Sequence, residues 1–280
     1  MTAGPDHIKW GKGEEISPAG KPSAFWGSGK NMDNIEESAF AKPLEPGAWR
    51  QLYRVGAVSA FVYVFMILVP LVLLVAAPQP PLRDGAAILQ YIAAHRAIYL
   101  VELVCFVGLS VPAVIVFFAL GVALFRRSPS LVSLGALIGV VSEVVALALG
   151  SSPPSLNGGL IVLSGQYSAA GETLRPTLAS AADALAAGAN AVSSAGILTA
   201  LGILILSLAM GESVFRKVTA ILGIATGALG IVSEALRDYI GPAYGLYGIL
   251  LPLWFVLAGL GLGRLDSLGK SAEKKPRRSG

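Results

Sequence analysis

Three glutamates, Glu102, Glu143 and Glu234, stand inside long apolar runs of the chain. A carboxylate surrounded by hydrocarbon is expensive, and it persists where it is partnered or where it does chemistry. Two of the three share their surroundings. Gly135, Gly139 and Glu143 recur every four positions, and Thr226, Gly230 and Glu234 repeat that spacing ninety-one positions later, both copies ending in Val-Ser-Glu. On a helix this period makes one stripe, along which small residues admit another backbone and the glutamate stands at the end of the contact. Gly223 and Gly227 add a GxxxG pair to the second copy. Arg237, His95 and Arg96, with Asp183 and Asp238, fall near the ends of the same runs and could partner the acids. A proton or cation relay is the chemistry such a shared polar site would support. The plainer role is structural, each glutamate bonding to a neighbouring helix or reaching toward the headgroups.

Other chemistries lack their residues. The histidines are His7, near the start, and His95, at the edge of an apolar run, so no crossing carries the paired histidines of a haem or a metal motif. Cys105 is the single cysteine; it allows no intrachain disulfide and reads as a small buried hydrophobe. A serine hydrolase needs a base beside its serine, and no crossing offers histidine or lysine. Ser142 and Ser233, each next to a glutamate, are expected to bond back to their own helices. The glycines lie within helices rather than in phosphate-cradling loops. No cofactor and no metal are expected, and a membrane enzyme working through carboxylates alone is the one catalytic reading left.

The elements that must position these acids follow from composition. Of 280 residues, 54% are hydrophobic and 14% charged, and the mean hydropathy is +0.69. That profile predicts an all-α polytopic membrane protein, with the lipid bilayer as its solvent. The net charge of +4 does not point to nucleic acid, because the basic residues lie outside the apolar runs. Residues 1–49 are polar and aperiodic, and read as a disordered tail without a signal peptide's apolar core. Trp10, Phe25 and Trp26 read as isolated aromatics within it, whereas Trp49 and Tyr53 beside Arg50 and Arg54 suit an interfacial anchor. A six-helix domain spans 50–265, with crossings at about 55–77, 97–124, 131–150, 189–210, 218–236 and 244–263. Pro70, Pro112 and Pro252 fall inside crossings, and Pro70 and Pro112 should bend theirs. Pro78, Pro80 and Pro81 end the first crossing, and Pro153 and Pro154 the third. Asp84 can cap a short helix at about 85–96, whose Ile88, Leu89 and Ile92 suit the membrane interface. Residues 151–188 form an outer loop with a helix starting near Pro176, and 266–280 a basic tail.

Six crossings place both termini on one side. That side carries seventeen lysines and arginines against four at Arg83, Arg96, Arg175 and Arg237, which predicts cytoplasmic termini and insertion in the cell's inner membrane. A rise of 1.5 Å per residue then puts Glu143 roughly 18 Å and Glu234 roughly 24 Å from the cytoplasmic ends of their helices, with Glu102 roughly 7 Å below the outer end. All three acids therefore fall in the outer half of the bilayer.

Phe125-Arg126-Arg127 precedes the first glutamate helix and Phe215-Arg216-Lys217 the second, so crossings two and three read as a duplicate of four and five. Further motifs are Asp84-Gly-Ala-Ala-Ile-Leu, Tyr91-Ile-Ala-Ala-His-Arg, the alanine-rich segment after Arg175-Pro176, Val214-Phe-Arg-Lys and Leu222-Gly-Ile-Ala-Thr-Gly. With these, the stretch from about Leu52 to Leu265 resembles the domain of unknown function 4386 family of prokaryotic six-helix integral membrane proteins. The resemblance implies topology and no activity, and the long segment before Leu52 departs from that family's compact start. The expected function is a non-catalytic bundle, with a small transporter or ion-coupled sensor using the outer-half glutamates as the alternative. A protein partner is not specified by the sequence, and a homo-oligomer is compatible with it.

Overall fold

In hydrocarbon every backbone polar group must be satisfied within the chain, so apolar runs of this length can only be helices. A computed structural model describes residues 48–78, 84–152, 156–192, 195–211, 213, 215–240 and 243–273. The tail read at 1–49 therefore lies almost wholly outside the described residues, as do Pro80, Pro81, Pro153, Pro154 and the basic tail beyond 273. The helices are α1 (Arg50–Ala76), α2 (Gly85–Ala94), α3 (Arg96–Gly108), α4 (Ser110–Leu124), α5 (Pro129–Leu149), α6 (Gly158–Ala169), α7 (Arg175–Val192), α8 (Gly196–Met210), α9 (Lys217–Ala235), α10 (Arg237–Ile240) and α11 (Tyr244–Glu273). Six stretches among them are long and apolar enough to cross a membrane: Arg50–Leu73, Arg96–Leu124, Pro129–Leu149, Arg175–Met210, Lys217–Ala235 and Tyr244–Lys270. The chain is a multi-pass, predominantly helical membrane protein.

Local signals set the helix ends. The Asp84 carboxylate accepts the Ala87 N–H at 2.9 Å and starts α2. The Asn157 side chain accepts the Gly159 N–H at 2.7 Å and starts α6. Pro129 opens α5 at a position where its missing N–H is harmless, and Gly150, at φ 55°, closes it. Pro70 sits inside the uninterrupted α1, whereas the second crossing is divided at Leu109 into α3 and α4. Pro112 supplies the reason for that division: it has no N–H to close a turn on Gly108.

The crossings pack as a closed ring in chain order. α1 lies beside α4, α4 beside α5, α5 beside α8, α8 beside α9, α9 beside α11, and α11 returns to α1. Aromatic rings fill the middle. Tyr63 stacks on Phe255 with centroids 3.7 Å apart, and Phe117 meets Phe255 at 6.3 Å and Trp254 at 6.4 Å. Small residues let the surrounding helices close on this centre.

A second, smaller core caps one end of the ring. Ile88, Leu89 and Ile92 of α2 are buried against Tyr99, Leu156, Leu160, Leu178, Ala182 and Ala186, so the apolar face read as interfacial is covered by protein. The segment read as an outer loop supplies that cover through α6, α7 and a two-residue antiparallel pair, Ser151–Ser152 (β1) with Leu156–Asn157 (β2), a slight departure from an all-helical chain. The Tyr99 hydroxyl pins the cap to the ring, donating to Asn157 O at 3.1 Å and accepting the Asn157 N–H at 3.0 Å. The Ser164 hydroxyl donates to Leu89 O at 2.8 Å and joins α6 to α2.

Candidate functional site

The two glutamate helices, α5 and α9, lie on opposite flanks of α8. Glycine allows both contacts. A methyl group built on Gly202 would fall 2.9 Å from the backbone of Gly139, and one on Gly135 2.8 Å from Ile205. On the other flank, a methyl on Gly227 would meet the Ala200 carbonyl at 2.7 Å, and one on Gly230 the Ala200 side chain at 2.8 Å. Gly139 also faces the Phe117 ring, and Gly223 faces Ser207 and Trp254. The stripes read in the sequence are therefore the faces by which the third and fifth crossings grip the fourth.

At the cap end of these faces both acids reach the first turn of α8. Glu143 is 3% exposed and accepts hydrogen bonds from Thr199, at 3.0 Å, and from Ser110 of α4. Ser142 does not bond back to its own helix: its hydroxyl donates across to Ala195 O at 2.9 Å and lies 2.7 Å from the Thr199 hydroxyl. A hydroxyl placed against a neighbouring helix can bond that helix's carbonyl in place of one already bonded within α5. Glu143 thus ties together crossings two, three and four.

Glu234, 8% exposed, lies against Gly196 in the same turn of α8. Its carboxylate pairs with Arg237 and accepts the Tyr244 hydroxyl at 2.8 Å, and Arg237 donates to the same Tyr244 oxygen at 3.1 Å. The guanidinium also lies over the Tyr244 ring, 5.1 Å from its centroid. This triad joins the ends of α9 and α11 across the short α10. Ser233, the neighbour of Glu234, is buried with no hydrogen-bond partner among the described residues, so it does not bond back to its helix either.

Two buried tyrosines, Tyr63 of α1 and Tyr247 of α11, lie within electrostatic reach of both acids. Glu102 is fully buried elsewhere in the cap end, where its charge acts on Tyr91 and Tyr99. Burial, with the Glu102 charge adding to it, pushes the Tyr91 phenol above its ordinary range; its hydroxyl donates to Ala77 O at 2.9 Å. His95 and Arg96 are exposed, and neither is joined to a glutamate among the described residues. His95 stacks instead on Tyr91, with centroids 4.8 Å apart. The set named from the sequence therefore divides. Glu143, Glu234 and Arg237 gather around the start of α8, Glu102 keeps company with tyrosines, and His95 and Arg96 stand outside.

Sequence reasoning missed Ser110, Thr199, Gly196, Tyr63, Tyr244 and Tyr247. A signal was present in Gly196-x-x-Thr199-Ala200-x-Gly202, a small-residue stripe ending in a hydroxyl. No group of three or more His, Cys, Asp or Glu able to hold a metal ion occurs among the described residues. No family model matches the chain, and neither a curated protein nor a solved structure does.

Proposed function

We propose that the protein is a non-catalytic six-helix bundle of the inner membrane, with both termini cytoplasmic, in which buried carboxylates fasten neighbouring helices. One observation carries this reading: the oxygens of Glu143 and Glu234 are taken up by Ser110, Thr199, Arg237 and Tyr244, which lie beyond the glutamates' own helices. A carboxylate held in this way acts as a clamp. The orientation rests on the seventeen-to-four distribution of basic residues, and membership of the domain of unknown function 4386 family on the motifs quoted above.

A second reading, an ion-coupled transporter or sensor, is favoured by the meeting of two acids from different crossings at one turn of a third, since carboxylates inside a membrane mark ion and proton pathways. Exchanging Glu143 and Glu234 for Gln separates the two. Membrane yield and pH-dependent uptake of candidate solutes into vesicles are measured together. Loss of yield with no uptake in the parent protein supports the clamp, whereas full yield with abolished uptake overturns it in favour of transport.

A further inference from the structure

The two echoed glutamates differ in one respect that decides what each needs. Three residues after Glu234 stands Arg237, and the two side chains pair. Three residues after Glu143 stands Ala146, and no basic side chain pairs with Glu143 among the described residues. The second copy carries its own cation and the first does not.

What surrounds Glu143 instead is oxygen. Ser110 and Thr199 donate to its carboxylate, Ser142 lies 2.7 Å from Thr199, and Ser142 donates to the Ala195 carbonyl at 2.9 Å. The side chains in this cluster are buried: Ser110 and Ser142 are 1% exposed, Glu143 3% and Thr199 9%. They come from α4, α5 and the start of α8, so the cluster exists only when three crossings are assembled. A carboxylate, three hydroxyls and a backbone carbonyl are hard oxygen donors bearing one negative charge in total. Hard cations take such donors in place of their hydration shell. A divalent ion calls for more carboxylates than the one present here, and soft metals call for sulfur or imidazole.

We propose that Glu143, Ser110, Ser142, Thr199 and the Ala195 carbonyl form a binding site for a dehydrated monovalent alkali cation of sodium's size class. The bound ion neutralises Glu143 as Arg237 neutralises Glu234. The site belongs to the folded bundle whether or not the ion is transported, so it stands or falls separately from the uptake experiment above.

The test uses the full chain in detergent or nanodiscs at fixed pH and ionic strength, with LiCl, NaCl or KCl replacing choline chloride stepwise. Sodium is expected to raise the thermal midpoint relative to choline once its concentration passes the dissociation constant, each further tenfold excess adding a similar increment. Ser142→Ala and Thr199→Val should shift the sodium concentration at which the midpoint begins to rise roughly tenfold or more upward. Glu143→Gln should abolish the sodium response. The two milder variants keep the proposal testable if Glu143→Gln does not fold. Equal midpoints in all four salts overturn it, as does a midpoint that follows pH alone with choline as effective as sodium. An unchanged onset concentration in both Ser142→Ala and Thr199→Val also overturns it.

Discussion

Gly196 lies flush against the Glu234 carboxyl group: a methyl built on its α-carbon would fall 2.8 Å from the carboxyl carbon and 2.9 Å from Oε1. The absence of a side chain at one position of α8 is what lets the fifth crossing bring its acid to the fourth. Gly196→Ala should therefore push the carboxylate off its Arg237 and Tyr244 partners and destabilise the bundle by about 1–3 kcal/mol, the usual range for forcing a methyl into packed space. The check is a cycle of thermal midpoints for Gly196→Ala, Glu234→Ala and the pair. With the carboxyl group already removed, the added methyl should be nearly neutral. Equal losses in both backgrounds would show that the glycine serves some end other than admitting Glu234.

The opposite flank of α8 tests backbone approach directly. A methyl on Gly202 would meet the α-carbon and nitrogen of Gly139, atoms that move only if a whole helix moves. Gly202→Ala should cost more than Gly196→Ala, because a side chain can turn aside and a backbone cannot. Gly165 of α6 is the control. Nothing lies within 4 Å of a methyl placed there, so Gly165→Ala should gain about 0.5–1 kcal/mol from helix propensity alone. Yield and thermal midpoint of the three variants and the parent, measured side by side, check the order Gly165→Ala, parent, Gly196→Ala, Gly202→Ala.

The glutamate stripes and the six apolar stretches were legible because each is a property of one helix. Length against bilayer thickness, and a period of four, need no partner to be read. Which helix lies between the two stripes is not a local property. Nothing in Gly135-x-x-x-Gly139-x-x-x-Glu143 says whether its partner will be the second, fourth or sixth crossing, and so Thr199 and Gly196 went unmarked. The cap was misread for the same reason. Ile88, Leu89 and Ile92 form an apolar face that lipid or protein could cover, and only the fold of 156–192 over it decides between them. Ser142 was assigned to its own helix because that partner is always at hand, while the Ala195 carbonyl becomes a competitor only once α5 and α8 touch.

The Tyr99 phenol hydrogen-bonds the cap to the second crossing. Tyr99 is 3% exposed, and its hydroxyl both donates to Asn157 O and accepts the Asn157 N–H. Tyr99→Phe keeps the ring's volume and strands two backbone groups, a loss of about 1–3 kcal/mol borne by the cap. Because Asn157 also starts α6, amide exchange should quicken across 156–169. Exchange in α8 and α9 should not change. Protection lost equally from all these helices would mean that the cap and the ring unfold as one unit.

Ser207 and Trp254 offer the reverse case, in which deleting a polar group should help. Both side chains are fully buried, and neither Ser207 Oγ nor Trp254 Nε1 has a hydrogen-bond partner among the described residues. They converge on the space above Gly223, where the fourth, fifth and sixth crossings meet. An unpaired hydroxyl in that setting is a net penalty, because in the unfolded chain it would find a partner. Ser207→Ala removes the penalty and almost no volume, so the thermal midpoint should hold or rise. Gly223→Ala, by contrast, would drive a methyl into both side chains and should lower it. A fall in Ser207→Ala comparable to that in Gly223→Ala would mean that this hydroxyl is satisfied in the membrane, and the centre of the bundle would then count as a wet site rather than a dry one.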